Sequence, residues 1–341
     1  MKRALVVGFS GQDGSFLVEQ LRAKGYLVAG IGRSTIEGPL PDRKPIDVRD
    51  RCWVQEMLSY FRPDEIYYLA AFHHSAEELA LNDRDLIQQS FEINTLALNN
   101  FLHSLATDIP CSRLFYAASS HVFGEPPENI QDELTPLNPI DAYGISKTAG
   151  LLLCRHYRRQ KNIFCSVGIL YNHESPRRSR AFVSQKVISA AVRISRKIQK
   201  KLIIGDLDAM TDWGYAPDYV DAMWRILQLE KPEDFVIATG ALYSVRQLVE
   251  VAFEALDLDW KAYVEVDPSL IRKTRTSILQ GNSALLQART GWRPQKSFRE
   301  MIVEMVKTES ARRSYDTMAH RGADEAGDSE LVNFKLGESD C

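Results

Sequence analysis

The sequence predicts an α/β protein built on a doubly wound parallel sheet, with a smaller, interleaved C-terminal unit. Three observations carry that expectation. Short apolar runs alternate with amphipathic stretches through the first half, as strands buried on both faces do when helices cover them. A glycine turn, Gly8-Phe-Ser-Gly11-Gln-Asp-Gly14, follows the first run and opens the first helical stretch. The chain has 341 residues, more than one ordinary core organises, which leaves room for a second unit.

In order, the apolar runs are Ala4 to Gly8, Val28 to Ile31, Ile66 to Ala70, Leu114 to Ala117 and Cys165 to Leu170, each followed by helical periodicity. Past Asn172 the alternation loosens. A helical stretch from Phe182 to Ile198 is followed by strands at Lys201 to Gly205 and Phe235 to Ala238, then a helix from Ser244 to Leu256. The expected division is one domain from residues 1–172 with about 209–243, and a second from about 173–208 with 244–312. From about Tyr315 the chain turns polar, acidic and aperiodic, so residues 313–341 are expected to form a disordered tail.

A net charge of −3, with Lys and Arg spread along the chain, gives no footprint for nucleic acid and favours a small-molecule partner. Cys52, Cys111, Cys154, Cys165 and Cys341 show no CxxC or Cys/His metal spacing and read as reduced thiols of a cytoplasmic protein without a metal. Met-Lys-Arg leads straight into a strand, not a signal peptide, and no apolar run approaches the roughly 18 residues needed to span a membrane.

The glycine turn lies where a tight bend, close backbone approach to a pyrophosphate and helix packing are needed together, so dinucleotide binding is expected at Gly8, Ser10, Gly11, Gln12, Asp13, Gly14 and Ser15. The second strand ends Gly30-Ile-Gly-Arg33-Ser34, with no acidic group for ribose hydroxyls and an arginine for a 2′-phosphate, which favours NADP over NAD. Asp47 and Val48 fall where the adenine would lie, and Leu69, Ala70 and Ala71 end the next long strand above the cofactor. Tyr143 and Lys147, four apart on a helix, share one face, so the ammonium can lower the phenol pKa and hold the nicotinamide ribose. A YxxxK pair alone is common. Here Ser119 ends a strand upstream, where a serine, the tyrosine and a nicotinamide converge on one carbinol.

These residues make the chain resemble the extended short-chain dehydrogenase/reductases, which have a Rossmann-type cofactor domain, and within them the GDP-mannose 4,6-dehydratases. The most specific segments are Gly11-Gln-Asp-Gly-Ser15, Gly168-Ile-Leu-Tyr-Asn-His-Glu-Ser-Pro-Arg-Arg178, the run from Asp212 to Trp224, Val236-Ile-Ala-Thr-Gly240 and Gly291-Trp-Arg-Pro294. The resemblance, from about residue 3 to 310, implies NADP contacts at Ser10 to Ser15, Asp47, Val48, Leu69 to Ala71, Lys147, His173 and Arg178. It implies catalytic roles for Ser119 and Tyr143. Ser120, Asn172, Lys186 and Arg272 would hold a nucleotide-diphosphate sugar, with a GDP-sugar favoured. A homodimer or higher homo-oligomer is also implied, through helices at Asp85 to Ser104 and Asp141 to Arg158.

The chain departs from the family at three points. The Glu that removes the C5 proton in family dehydratases is His121, the Arg before Asp-Trp-Gly is Thr211, and the Glu three residues after Arg272 is Arg275. An imidazole is a competent base near neutral pH, so His121 is compatible with dehydration. The loss of the carboxylate keeps a C4 epimerase or oxidoreductase open as an alternative. His73 and His74 are expected to shape the sugar pocket and not to bind metal, since no third ligand has suitable spacing.

Overall fold

The computed structural model describes residues 1–33, 35–40, 47–73, 82–271 and 278–324. Its centre is a seven-stranded sheet in the spatial order Asp234–Ile237, Phe164–Leu170, Arg113–Ser119, Glu65–Tyr68, Arg3–Val7, Leu27–Ile31, Ile36–Glu37. Six strands are parallel, and the two-residue edge strand Ile36–Glu37 is antiparallel to Leu27–Ile31. The five apolar runs of the first half are all strands of this sheet. The run at Phe235 to Ala238 joins it too, paired along Phe164–Leu170, because its residues are apolar on both sides and both faces of the sheet are covered.

Side-chain alternation divides the first strand between two cores. Leu5 and Val7 pack with Trp53, Leu58, Phe101 and Leu102, from helices Arg51–Phe61 and Leu98–Thr107. Ala4 and Val6 face the opposite way, among Leu17, Leu21, Tyr219 and Met223 of helices Gln12–Ala23 and Ala216–Leu227. Each fully buried Leu, Val or Phe contributes roughly 1.5–3 kcal/mol relative to exposure, which is what holds helices on both sides of the sheet. Asp50 starts the helix Arg51–Phe61 by accepting from the Cys52 and Trp53 amides.

A third core is separate from these. Helices Val183–Ser195, Val245–Glu254 and the start of Phe298–Asp324 enclose Ile188, Leu248, Phe253, Ile302 and Met305. Phe298 stacks on Tyr243 at 4.1 Å and on Trp213 at 5.8 Å. A three-stranded sheet of Leu242–Ser244, Met210–Tyr215 and Asn172–Glu174 lies between this core and the large sheet. The long helix continues to Asp324, beyond Tyr315, where the sequence predicts a tail. Its first turns are anchored by Phe298, Met301 and Met305, and adding residues to a formed helix is far cheaper than starting one.

Candidate active site

The chain reverses direction across the sheet between Arg3–Val7 and Glu65–Tyr68, and strand ends at such a reversal open a crevice. Gly8 stands there at φ +94°, a backbone that side chains avoid, and a Cβ on it would fall 2.8 Å from the Ala70 nitrogen. At Gly14 a Cβ would meet the Gly8 carbonyl at 2.2 Å. The first helix can therefore dock on the turn only with glycine in its first turns. A cavity of about 580 Å³ opens over this turn, and Gly8, Ser10, Gly11, Arg33, Asp47, Val48 and Leu69 to Ala71 all line it. Glycine cradle, helix N-terminus and exposed Arg33 fit a dinucleotide with a 2′-phosphate.

Gln12, Asp13 and Ser15 do not line that cavity. They tie the first helix to the neighbouring segment. Gln12 donates to the His173 carbonyl at 3.0 Å and accepts from the Ser175 hydroxyl at 2.8 Å. The Ser15 hydroxyl donates to the Gln12 carbonyl at 2.8 Å within the helix and accepts from Arg177 of that segment at 3.0 Å. Asp13 meets His173 Nε2 at 2.9 Å, while His173 Nδ1 lies 2.7 Å from the Tyr171 carbonyl, so both ring nitrogens are engaged. Burial alone would raise the Asp13 carboxyl and lower the imidazole. Burial is the largest single influence on each, but their mutual charge and hydrogen bond, together with the other hydrogen bonds each makes, outweigh it in sum, so Asp13 is held below and His173 above its ordinary pKa. The Arg178 guanidinium adds to the field on Asp13, lies 3.3 Å from Glu174 and sits 3.5 Å over the Phe182 ring.

The strand Arg113–Ser119 delivers Ser119 to the same edge of the sheet, and the helix Ala142–Lys161 lays Tyr143 and Lys147 beside it. Asp141 caps that helix by accepting from the Gly144 amide at 2.7 Å. Lys147 is fully buried, and its Nζ donates to the Ala117 carbonyl at 2.8 Å and lies 5.8 Å from the Tyr143 ring centre. Burial pushes Tyr143 up to about 12, only partly offset by its hydrogen bond with Ser119, and burial brings Lys147 down to about 7. Both groups lose water on folding, and a half-neutral ammonium exerts little pull on its neighbour. A π turn at Glu92–Ala97 re-aims Asn94, whose side chain binds the Phe72 backbone and the Ser146 hydroxyl. That residue therefore fixes the loop before His73 against the helix of Tyr143.

His121 follows Ser119 in a single 3₁₀ turn, Ser120–Val122. Its ring is edge-on to Tyr143 at 5.5 Å and to His73 at 6.5 Å, and its Nδ1 lies 2.9 Å from the second oxygen of Asp141. Ser120, His121, Asn172 and Thr211 share a smaller cavity of about 120 Å³ with Tyr171 and Asp212. Asp212 accepts from the amides of Thr239, Gly240 and Gly281, although burial still raises its pKa.

Lys186 is half-buried on the helix Val183–Ser195 and lines neither cavity. Arg272, Arg275 and His74 lie outside the described residues. His73 packs at 4.7 Å on Tyr143 and stacks on Phe182 at 5.5 Å. Among the described residues no three His, Cys, Asp or Glu side chains are grouped to hold a metal.

Sequence reasoning missed Asp141, Asp212 and Asn94. An Asp three residues before a glycine at a helix start is a visible cap signal. Its contact with His121, across 20 positions, is not visible in the sequence.

A parallel sheet with a glycine-lined crevice at its reversal, a Ser–Tyr–Lys cluster beside it and a second interleaved core define an extended short-chain dehydrogenase/reductase. More narrowly, the chain belongs to the GDP-mannose 4,6 dehydratase family, which matches residues 5–305. GDP-mannose 4,6 dehydratase 2 of Arabidopsis thaliana is 36% identical over 325 residues, covering 89% of this chain and 86% of that protein. The Caenorhabditis elegans protein of the same name is 35% identical over 355 residues, covering 93% and 91%. RMD from Pseudomonas aeruginosa, solved with NADPH, shares the fold with a TM-score of 0.79 over 92% of this chain and 100% of that one, at 23% identity.

Proposed function

We propose that this protein is an NADP-dependent nucleotide-sugar 4,6-dehydratase acting on a GDP-hexose, with GDP-mannose the first substrate to test. The observation that carries the reading is the meeting of Ser119, Tyr143 and His121 beside the glycine-lined crevice, in a chain whose full-length relatives are GDP-mannose 4,6 dehydratases. NADP bound in that crevice would accept a hydride from C4 and return one to C6. Gly8, Gly11 and the first helix would hold its pyrophosphate, and Arg33 its 2′-phosphate.

Each remaining step belongs to the chain's own groups. As the hydride leaves, Tyr143, hydrogen-bonded to Ser119 and kept protonated by burial, relays the C4 hydroxyl proton, accepting it while passing its own phenolic proton to solvent. The resulting ketone acidifies C5–H, and His121 removes that proton. The C5–H electron pair becomes the C5=C6 bond while the C6 hydroxyl leaves, and the imidazolium returns its proton to it as water. Hydride at C6 and a proton taken from solvent at C5, replacing the one released from the C4 hydroxyl, complete a 4-keto-6-deoxy sugar.

Residues 1–172 with 209–243 are assigned to the cofactor and residues 173–208 with 244–312, including Lys186, to the nucleotide sugar. The separate third core supports this division. Exposed Ile87, Leu96, Ile145 and Leu152 support a homodimer through the helices around residues 85–104 and 141–158. Among the described residues the four cysteines are all free, which supports a cytoplasmic setting, and no helix is long and apolar enough to cross a membrane.

The test is purified protein with NADP and GDP-mannose, followed by mass spectrometry. A product lighter by one water without net reduced cofactor is expected, and His121→Ala should abolish water loss while C4 oxidation survives. The C4 epimerase or oxidoreductase alternative is disfavoured by the dehydratase relatives. An isobaric product, or stoichiometric reduced cofactor, would restore it.

A further inference from the structure

Resting on the reading of His121 as the C5 base, we propose that Asp141 is the positioning residue that makes this histidine a base. The carboxylate contributes each oxygen to a different partner. One accepts from the Gly144 amide at 2.7 Å, and the other lies 2.9 Å from His121 Nδ1. An ionised carboxylate only accepts hydrogen bonds, so Nδ1 carries the proton of the neutral ring and Nε2 is left as the acceptor. The His121 ring is thereby held edge-on to Tyr143 and beside Ser120 and Asn172.

The pair also solves a charge problem. A lone imidazole that takes a proton goes from neutral to positive inside a half-buried cavity. Paired with Asp141 it goes from one negative charge to none, the same change a single carboxylate base would undergo. Asp141 also heads the helix that carries Tyr143 and Lys147, so one side chain fixes the base relative to the C4 oxidation machinery. Other titratable groups facing His121 are Tyr143, His73 and, across the small cavity, Asp212. Asp212 is already occupied by backbone amides, which leaves Asp141 to orient the ring.

The experiment uses the full chain with NADP and GDP-mannose. It compares wild type with His121→Ala, Asp141→Asn, Asp141→Ser, Asp141→Glu and the double variant H121A/D141N. Asn and Ser both retain helix capping, but Asn favours the wrong ring tautomer and Ser is too short to reach His121. Both should lose water elimination on the order of 100-fold or more, with KM within about threefold, the scale expected of a disabled general base. Transient reduced-cofactor absorbance should persist while deuterium incorporation at C5 from heavy water disappears. Asp141→Glu should recover part of the rate, and the double variant should be no worse than His121→Ala alone.

Full activity in Asp141→Ser would show that the carboxylate only caps the helix and would overturn the proposal. So would a double variant that lost the C4 oxidation surviving in His121→Ala, because Asp141 would then act on more than the histidine. Unchanged water loss in His121→Ala would instead remove the base reading on which the proposal rests. The two failures are therefore distinguishable.

Discussion

Lys147→Met should give a protein that is dead in catalysis yet more stable at neutral pH. Burial holds the Lys147 ammonium down to about 7, against 10.5 for an exposed lysine. Each pH unit of displacement corresponds to about 1.4 kcal/mol, so folding with a charged Lys147 costs on the order of 5 kcal/mol as an upper figure. Below pH 7 folded and unfolded chains both hold the proton and the full cost applies. Between pH 7 and 10.5 the unfolded chain holds a proton the folded one lacks, so this group makes stability rise with pH. Methionine fills similar volume without the charge, but leaves the Ala117 carbonyl without its donor, at about 1–3 kcal/mol. The expected net gain is about 1–3 kcal/mol at pH 7, shrinking and then reversing toward pH 10. Thermal unfolding without NADP, followed from pH 6 to 9, measures it directly. A variant less stable than wild type at pH 6.5, or a difference independent of pH, would refute the reasoning.

Other expectations are simpler to check. Gly14→Ala should abolish NADP binding measured by fluorescence and lower the melting temperature, because its Cβ would lie 2.2 Å from the Gly8 carbonyl. Arg33→Ala should raise the KM for NADP about 10- to 100-fold while leaving that for NAD unchanged, as one lost charge-assisted contact implies. Asp234→Ala should destabilise the fold by about 1–3 kcal/mol with kcat unaltered. It would leave the guanidinium groups of Arg155 and Arg158, each 2.6 Å from that carboxylate, without their shared partner.

The strands of the large sheet were legible in the sequence because burial on both faces writes an unbroken apolar run. The dinucleotide turn was legible because glycine is the only residue its geometry admits. Ser119, Tyr143 and Lys147 could be found from spacing, since helix and strand periods decide which side chains share a face. The extent of the last helix was not legible, because the polar stretch after Tyr315 is carried by turns anchored earlier at Phe298 and Met305. The protonation of the Tyr–Lys pair was not legible in the sequence for a related reason. Proximity of a cation is visible in a motif, whereas the desolvation that outweighs it depends on what packs around both groups.

By itself, the sequence determined the doubly wound fold, the glycine turn of the crevice and the grouping of Ser119, Tyr143 and Lys147, all of which follow from local periodicity and residue type. Only the tertiary structure decided that Asp141 faces His121, that Asp13 and His173 lock the cofactor turn to a neighbouring segment, and that Lys147 is held near neutrality. Those are contacts between positions far apart in the chain and electrostatic effects of burial, and neither is encoded at any single position until the sheet brings the segments together.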